Sequence, residues 1–229
     1  MKSLTSNELA LLIDISAVRA DSSLDEVNKI IESAKQYHFV CVFPMQGFVP
    51  QTIQALKGYD TILVGGVVGF PSGGDSTASK LFQAQEMKIA GCREIDMVMN
   101  IGKLKSGLYT DITDEIRQVK AKVSPLPLKV IIEVPLLTDD EIGIAASLVL
   151  EAGADFVKTG TGWAGNTTMH HVNLIKAAVG DKIKLKVAGG VRTLEALEEM
   201  YNAGVCRFGI GYKSALSIME ACVTREQHG

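Results

Sequence analysis

Along the chain, short runs rich in β-branched and apolar residues alternate with longer stretches whose apolar residues recur every three or four positions. The short runs predict strands: LLIDIS (11–16), FVCVF (39–43), TILVGGVVGF (61–70), EIDMVM (94–99), LKVIIEV (128–134), ADFVKT (154–159), IKLKVA (183–188) and CRFGI (206–210). Between them the helical period runs through SLDEVNKIIESAKQY, TASKLFQAQEMKIAG, DITDEIRQVKAKV, DDEIGIAASLVLEAG, TMHHVNLIKAAVG and TLEALEEMYNAG. Several reach a glycine stop, at Gly91, Gly153, Gly180 and Gly204, where the left-handed backbone of a helix end carries no Cβ penalty. Strand–helix alternation without a proline- or serine-rich linker predicts an α/β chain folded as a single (β/α)8 barrel, a TIM barrel, over residues 1–229. The competing arrangement is a doubly wound open sheet. No GxGxxG opens a helix after the first strand, which weakens its dinucleotide-binding form.

Successive strand residues point to opposite faces; in a barrel one face meets the helices and the other fills the interior. In IKLKVA, Ile183, Leu185 and Val187 make the helix side, leaving Lys184 and Lys186 inside. In EIDMVMN, Ile95, Met97 and Met99 face helices while Asp96, Val98 and Asn100 point inward. LLIDIS sets Leu12, Asp14 and Ser16 on one face, and KVIIEV does the same for Lys129, Ile131 and Glu133. Asp14, Asp96, Glu133, Lys158 and Lys186 are therefore expected to converge near the strand C-terminal ends, where such barrels carry their active sites. Taken singly, each has a plainer reading: Lys158 as a solvated rim lysine, Asp96 as a helix cap, Glu133 as a partner of Lys129. Two lysines on consecutive strands, with inward carboxylates on others, favour a site, because buried charge is costly unless paired.

Composition narrows the class. The chain is 47% hydrophobic and 21% charged, enough apolar material for a large core and against disorder. A net charge of −3 offers no basic footprint for nucleic acid or an anionic membrane. No apolar run is long enough for a membrane span, and MKSLTSNELA has no signal-type apolar core. Cys41, Cys92, Cys206 and Cys222 lie far apart without a CxxC pair and read as reduced thiols. A soluble cytoplasmic protein is the expectation.

The lysine pair suggests a chemistry. At an ordinary pKa of about 10.4, roughly one lysine in 2500 is neutral at pH 7, and lowering the value to about 7 takes ~4.6 kcal/mol. A second ammonium about 4 Å away contributes about 4 kcal/mol at an effective dielectric of 20, and desolvation can supply the rest. Lys186, on the strand beside Lys158, is placed to be that neighbour, so the pair fits an amine that forms a Schiff base. The iminium is an electron sink for making or breaking a carbon–carbon bond. Asp96, through a water and with Lys186, is the candidate for moving protons. The scheme asks for no metal and no cofactor. His38, His170, His171 and His228 show no ligand spacing, and the His170–His171 pair is expected at the surface of a helix start.

Glycine-containing turns follow three neighbouring strands: GTG at 160–162, AGGVRT at 188–193 and GIGYKS at 209–214. Gly189 and Gly190 would let backbone N–H groups approach an anion, and Thr193 is placed to cap the following helix. Loops in these positions hold a substrate phosphate in many (β/α)8 enzymes. Thr161, Gly162, Gly189, Gly190, Arg192, Gly209 and Gly211 are accordingly the candidate residues for a phosphorylated substrate.

EIDMVMNIGKLKSG, LKVIIEVPLLTDDEI, EAGADFVKTGTGW and LKVAGGVRT together resemble the deoxyribose-phosphate aldolase family of class I aldolases, and the likeness runs from LLIDIS to about residue 211. The resemblance implies a (β/α)8 barrel that reversibly cleaves 2-deoxy-D-ribose 5-phosphate to D-glyceraldehyde 3-phosphate and acetaldehyde, in deoxyribonucleotide catabolism. It implies Lys158 as the Schiff-base lysine, Lys186 as the lysine that lowers its pKa, Asp96 as the proton-relay carboxylate, and Asp14 near the substrate hydroxyls. It also implies a phosphate site of backbone around Gly162, Gly189, Gly190 and Gly209, a small phosphorylated sugar as partner, and a homodimer.

This chain departs from the family pattern in four places. Ile15 stands where many members have histidine, and Lys158 is followed by TGTGW rather than T-S-T-G. Gly209, Ile210, Gly211 and Tyr212 replace G-A-S-S, removing serine hydroxyls, and EACVTREQHG lacks the tail tyrosine that some members use as a proton donor. Gly160, Trp163 and Tyr212 are expected to border the pocket. The alternatives are a divergent class I aldolase acting on another sugar phosphate or ketose, a non-covalent sugar-phosphate isomerase or lyase, and a non-catalytic sugar-phosphate-binding barrel.

Overall fold

The computed structural model describes residues 3–228. Strands β1 (Ile13–Ala17), β2 (Cys41–Pro44), β3 (Leu63–Val68), β4 (Glu94–Val98), β5 (Leu128–Ile131), β6 (Phe156–Lys158), β7 (Lys184–Ala188) and β8 (Arg207–Gly211) are all parallel. They pair in chain order, and β8 returns to β1, so the barrel is closed and the open-sheet alternative falls. The helices are α1 (Ser6–Ala10), α2 (Leu24–Tyr37), α3 (Val49–Ala55), α4 (Thr77–Ala90), α5 (Ile101–Lys105), α6 (Tyr109–Val123), α7 (Asp139–Glu151), α8 (Met169–Val179), α9 (Leu194–Asn202) and α10 (Tyr212–His228).

All eight expected strands form, most of them shorter than their apolar runs. In 128–134, β5 stops at Ile131 because Glu133 takes a left-handed backbone, φ +51°, and opens a single 3-10 turn. Side chains satisfy the free N–H groups at several helix starts: Ser23, Ser76, Thr138 and Thr193 each accept from a backbone N–H three residues on. Gly91, Gly153, Gly180 and Gly204 all have positive φ, as the glycine stops require.

Helices α1, α3, α5 and α10 have no counterpart among the expected helical runs. Three are five to seven residues long, too short to show a period. In α10, however, Ala215, Ile218, Met219 and Cys222 form a buried stripe at helical spacing that the sequence does display. The core lies between barrel and helices, with Ile13, Ile15, Ile95, Met97, Leu185 and Val187 buried on the outer faces of their strands. That leaves the inner faces free to be polar.

Candidate active site

Alternation along the strands carries Asp14 (β1), Asp96 (β4), Lys158 (β6) and Lys186 (β7) into the barrel interior. Register sets Lys158 beside Lys186, Lys186 beside Arg207, and Asp96 beside Lys129. Lys158 is only 7% exposed, Lys186 1% and Asp96 0%, so Lys158 is not a rim lysine. Both ammonium groups donate to the same oxygen, Asp96 Oδ2, each at 2.7 Å. Lys186 Nζ also stands 2.6 Å from Asp14 Oδ2.

Three further charged residues complete the cluster: Lys129, expected on the inner face but as a partner of Glu133, and Glu94 and Arg207, for which the sequence carried no expectation. Lys129 and Arg207 both pair with Glu94. Arg207 Nε lies 3.1 Å from Asp14 Oδ1, and Lys129 Nζ lies 3.5 Å from Asp96 Oδ1. The alternation rule that found Asp96 also points to Glu94, two residues earlier. The same rule places Arg207 two residues before Gly209, on the inner face. Phe43 fills the space between these charges. Its ring lies over Lys186 Nζ at 4.2 Å and Lys129 Nζ at 5.1 Å. Gly65 makes room for that ring, since a Cβ there would sit 2.2 Å from it.

Burial is the main influence on Lys158, lowering its pKa to about 8; Asp96 opposes this, while Lys186 and Lys129 push it further down. The expected order of causes is thus reversed: removal from water leads, and the neighbouring ammonium assists. For Asp96, burial works toward protonation, but Lys158, Lys186 and Lys129 outweigh it and hold the carboxylate far below the usual range. Asp14 follows the same logic, with burial opposed and overcome by Lys186, Lys129 and Arg207. Burial pulls Lys129 down, yet Asp14, Asp96 and Glu94 lift it above the ordinary lysine range. Asp14, Cys41 and Glu94 bring their donor atoms close together, as metal ligands would. There Lys129 and Arg207 already contact both carboxylates, and burial holds the Cys41 thiol protonated.

Two connected cavities open above the cluster. The inner one, about 30 Å³, is lined by Asp14, Phe43, Phe70, Lys158, Thr161 and Lys186. It shares Ser16, Val18, Thr161 and Gly209 with an outer cavity of about 270 Å³, which Gly162, Gly189, Gly190, Arg192 and Gly211 also line. All seven residues expected to meet a phosphorylated substrate therefore border one space. Two glycines are obligatory there. Gly189, φ +90°, would put a Cβ 2.9 Å from the Gly165 carbonyl, and Gly190, φ +87°, would put one 2.6 Å from Asn166. The α9 N-terminus, capped by Thr193, follows directly, and Ser214 of the first turn of α10 also lines the cavity.

Other expectations need correction. Glu133 stands apart from the ion-paired cluster and contacts neither Lys129 nor Asp96. Its carboxylate accepts the Thr161 N–H at 3.1 and 3.3 Å, bracing the turn after β6. Asn100 does not face the interior; it caps α5, accepting from the Lys103 N–H at 3.0 Å. Lys184 shares the inner face but lies at the open N-terminal mouth, exposed, over the Phe156 ring. Gly160 backs onto Glu133 behind the cavities, and Tyr212 faces α2 rather than the pocket. Ile15 points into the helix layer and is fully buried, so that position does not reach a substrate. Trp163 does border the outer cavity, and His170 is exposed at the start of α8, as expected.

The sequence model of the DeoC/LacD family of aldolases matches residues 9–212. Deoxyribose-phosphate aldolase of Sinorhizobium medicae is 43% identical over 221 residues, 96% of this chain and 89% of that protein. A solved structure described as QR15, an aldolase, has a TM-score of 0.88 at 33% identity, covering 94% of this chain and 96% of its own. The tetrameric deoxyribose phosphate aldolase of Aeropyrum pernix has a TM-score of 0.83 at 25% identity, over 96% of this chain and 93% of its own.

Proposed function

This chain belongs to the DeoC/LacD family of aldolases, and from that premise we propose the catalytic reading of its interior. It is a carbon–carbon lyase, a class I aldolase that reversibly cleaves 2-deoxy-D-ribose 5-phosphate to D-glyceraldehyde 3-phosphate and acetaldehyde. The observation that carries the site assignment is one buried lysine, Lys158, whose pKa is lowered to about 8 and which shares Asp96 with a second ammonium.

Neutral Lys158 Nζ adds to the C1 aldehyde of the open-chain sugar, and loss of water leaves an iminium. Removal of the C3 hydroxyl proton then lets the C2–C3 bond break. C3 departs as the aldehyde of glyceraldehyde 3-phosphate, and the bonding pair moves into the iminium to give an enamine. Protonation at C2 and hydrolysis release acetaldehyde and free the lysine. Asp96, held ionised, is suited to accept the proton, with Lys186 as the adjacent donor. Asp14, at the base of the inner cavity, is suited to the sugar hydroxyls. The outer cavity receives the phosphate on the backbone of Gly162, Gly189, Gly190 and Gly209, with Thr161, Arg192 and Gly211 beside it.

Among the described residues no helix is long and apolar enough to cross a membrane. A cytoplasmic setting, a role in deoxyribonucleotide breakdown and a homodimer belong to the same proposal. Borohydride reduction with acetaldehyde and a chelator present tests the mechanism. A stable adduct mapped to Lys158 is expected. Absence of an adduct with any carbonyl would favour the non-covalent reading, and an adduct only with a ketose phosphate would change the substrate.

A further inference from the structure

The outer cavity has a wall that backbone amides do not explain. Arg19 lies in the loop from β1 to α2, Trp163 in the loop from β6 to α8, and both line the cavity together with Arg192. The Trp163 indole Nε1 donates to the Val18 carbonyl at 2.9 Å, tying together loops 145 residues apart in the chain. The Arg19 guanidinium lies 5.9 Å from the centre of the indole, within range of cation–π attraction. The indole also meets Phe70, which lines the inner cavity, edge-on with centroids 6.3 Å apart. The Arg19 turn is itself pinned, since Arg19 N–H donates to Ser22 Oγ and Ser22 N–H donates to the Arg19 carbonyl.

We propose that Arg19 and Trp163 form a strap across the mouth of this cavity and that Arg19 is a specificity-determining cation for the substrate's terminal phosphate. This rests on reading the outer cavity as the phosphate end. The end of β8 lends only glycine and isoleucine, at Gly209, Ile210 and Gly211, so hydroxyl contacts fall to Ser16, Thr161 and Ser214 and charge to the arginines. Glu26 is the one carboxylate on the wall, and Arg19 and Arg192 outnumber it. The competing partner of Arg19 is weak: Asp21 lies 3.7 Å away with both side chains mostly exposed, a pairing that exchanges readily for a doubly charged phosphate. The indole supplies a fixed surface for the guanidinium, which reduces the freedom lost when the arginine engages a ligand.

Trp163 is the sole tryptophan of the chain, so intrinsic fluorescence reports this wall directly. Titration with inorganic phosphate is expected to give a saturable emission change. In Arg19→Gln the midpoint should rise about tenfold, the scale of one charge-assisted hydrogen bond. In parallel, the ratio of kcat/KM for 2-deoxyribose 5-phosphate to that for 2-deoxyribose should fall about tenfold, chiefly through KM. A merely structural role would lower both substrates alike and leave the ratio unmoved. If the wild-type protein binds phosphate and prefers the phosphorylated sugar while Arg19→Gln matches it in both measurements, the strap is wrong and the phosphate cavity stands. If the wild-type protein neither responds to phosphate nor prefers the phosphorylated sugar, the cavity reading itself fails and the strap with it.

Discussion

Lys158 and Lys186 stand side by side in the β6–β7 register and donate to the same oxygen, Asp96 Oδ2. Around them the interior gathers carboxylates from Asp14, Glu94 and Asp96 and cations from Lys129, Lys158, Lys186 and Arg207. With every lysine protonated, this cluster carries one positive charge more than its carboxylates balance. Loss of a proton from Lys158 removes the excess, and Lys158 lines the inner cavity and is the most exposed of the three lysines. Burial lowers the Lys158 pKa against Asp96 alone, whereas Asp14, Asp96 and Glu94 together keep Lys129 charged.

Replacing Lys186 with leucine removes a positive neighbour from Lys158 and frees Asp96 to stabilise its ammonium more fully. Both changes raise the Lys158 pKa above about 8. The low-pH limb of the rate profile should move upward by roughly one pH unit or more. Activity at pH 7 should fall more steeply than at pH 9.5. Equal loss across the profile would exclude Lys186 as the group that tunes Lys158.

Asp96→Asn separates imine formation from proton transfer. Asp96 raises the Lys158 pKa, so its neutralisation leaves more free amine at pH 7. Borohydride trapping with acetaldehyde should proceed at least as fast as in the wild-type protein. Overall turnover should drop by about 10²–10⁴-fold, the usual contribution of a positioned acid–base group. Parallel loss of trapping and turnover would show that Asp96 organises the lysine instead of moving protons.

The lowered Lys158 pKa has a stability cost with a definite sign. Between the folded value of about 8 and the unfolded value near 10.4, the unfolded chain binds more protons, so stability rises with pH in that window. Below about pH 8 the full penalty, roughly 3 kcal/mol, is present. Lys158→Met lacks this titration. Denaturant unfolding of both proteins at pH 7 and pH 10.5 should show wild type gaining about that amount relative to the variant. A constant difference would mean Lys158 titrates normally.

Gly211 offers a gain-of-function test. A Cβ added there meets nothing within 4 Å, and its backbone is not left-handed, so serine fits without strain. Gly211→Ser puts a hydroxyl on the outer cavity and should lower KM for the phosphorylated sugar about two- to tenfold, with stability unchanged. A higher KM with unchanged stability would show that the substrate occupies the space at Gly211.

The order of strands, their inner and outer faces, and the pairing of Lys158 with Lys186 were readable from sequence because each rests on local periodicity. A two-residue repeat says which side chains share a face, and strand order in a barrel follows chain order. The same repeat contained Glu94 and Arg207, whose role emerged only when closure brought β8 beside both β1 and β7. Sequence could not say that β5 breaks before Glu133, since that residue's left-handed backbone goes with a carboxylate that accepts the Thr161 N–H on another loop. Nor could it reveal that Trp163 reaches the Val18 carbonyl. The electrostatic order of causes at Lys158 was likewise a tertiary outcome, because desolvation depends on how completely Phe43 and the surrounding strands exclude water. Local alternation determined which charges turn inward; closure of the barrel decided which of them meet, and how dry their meeting place is.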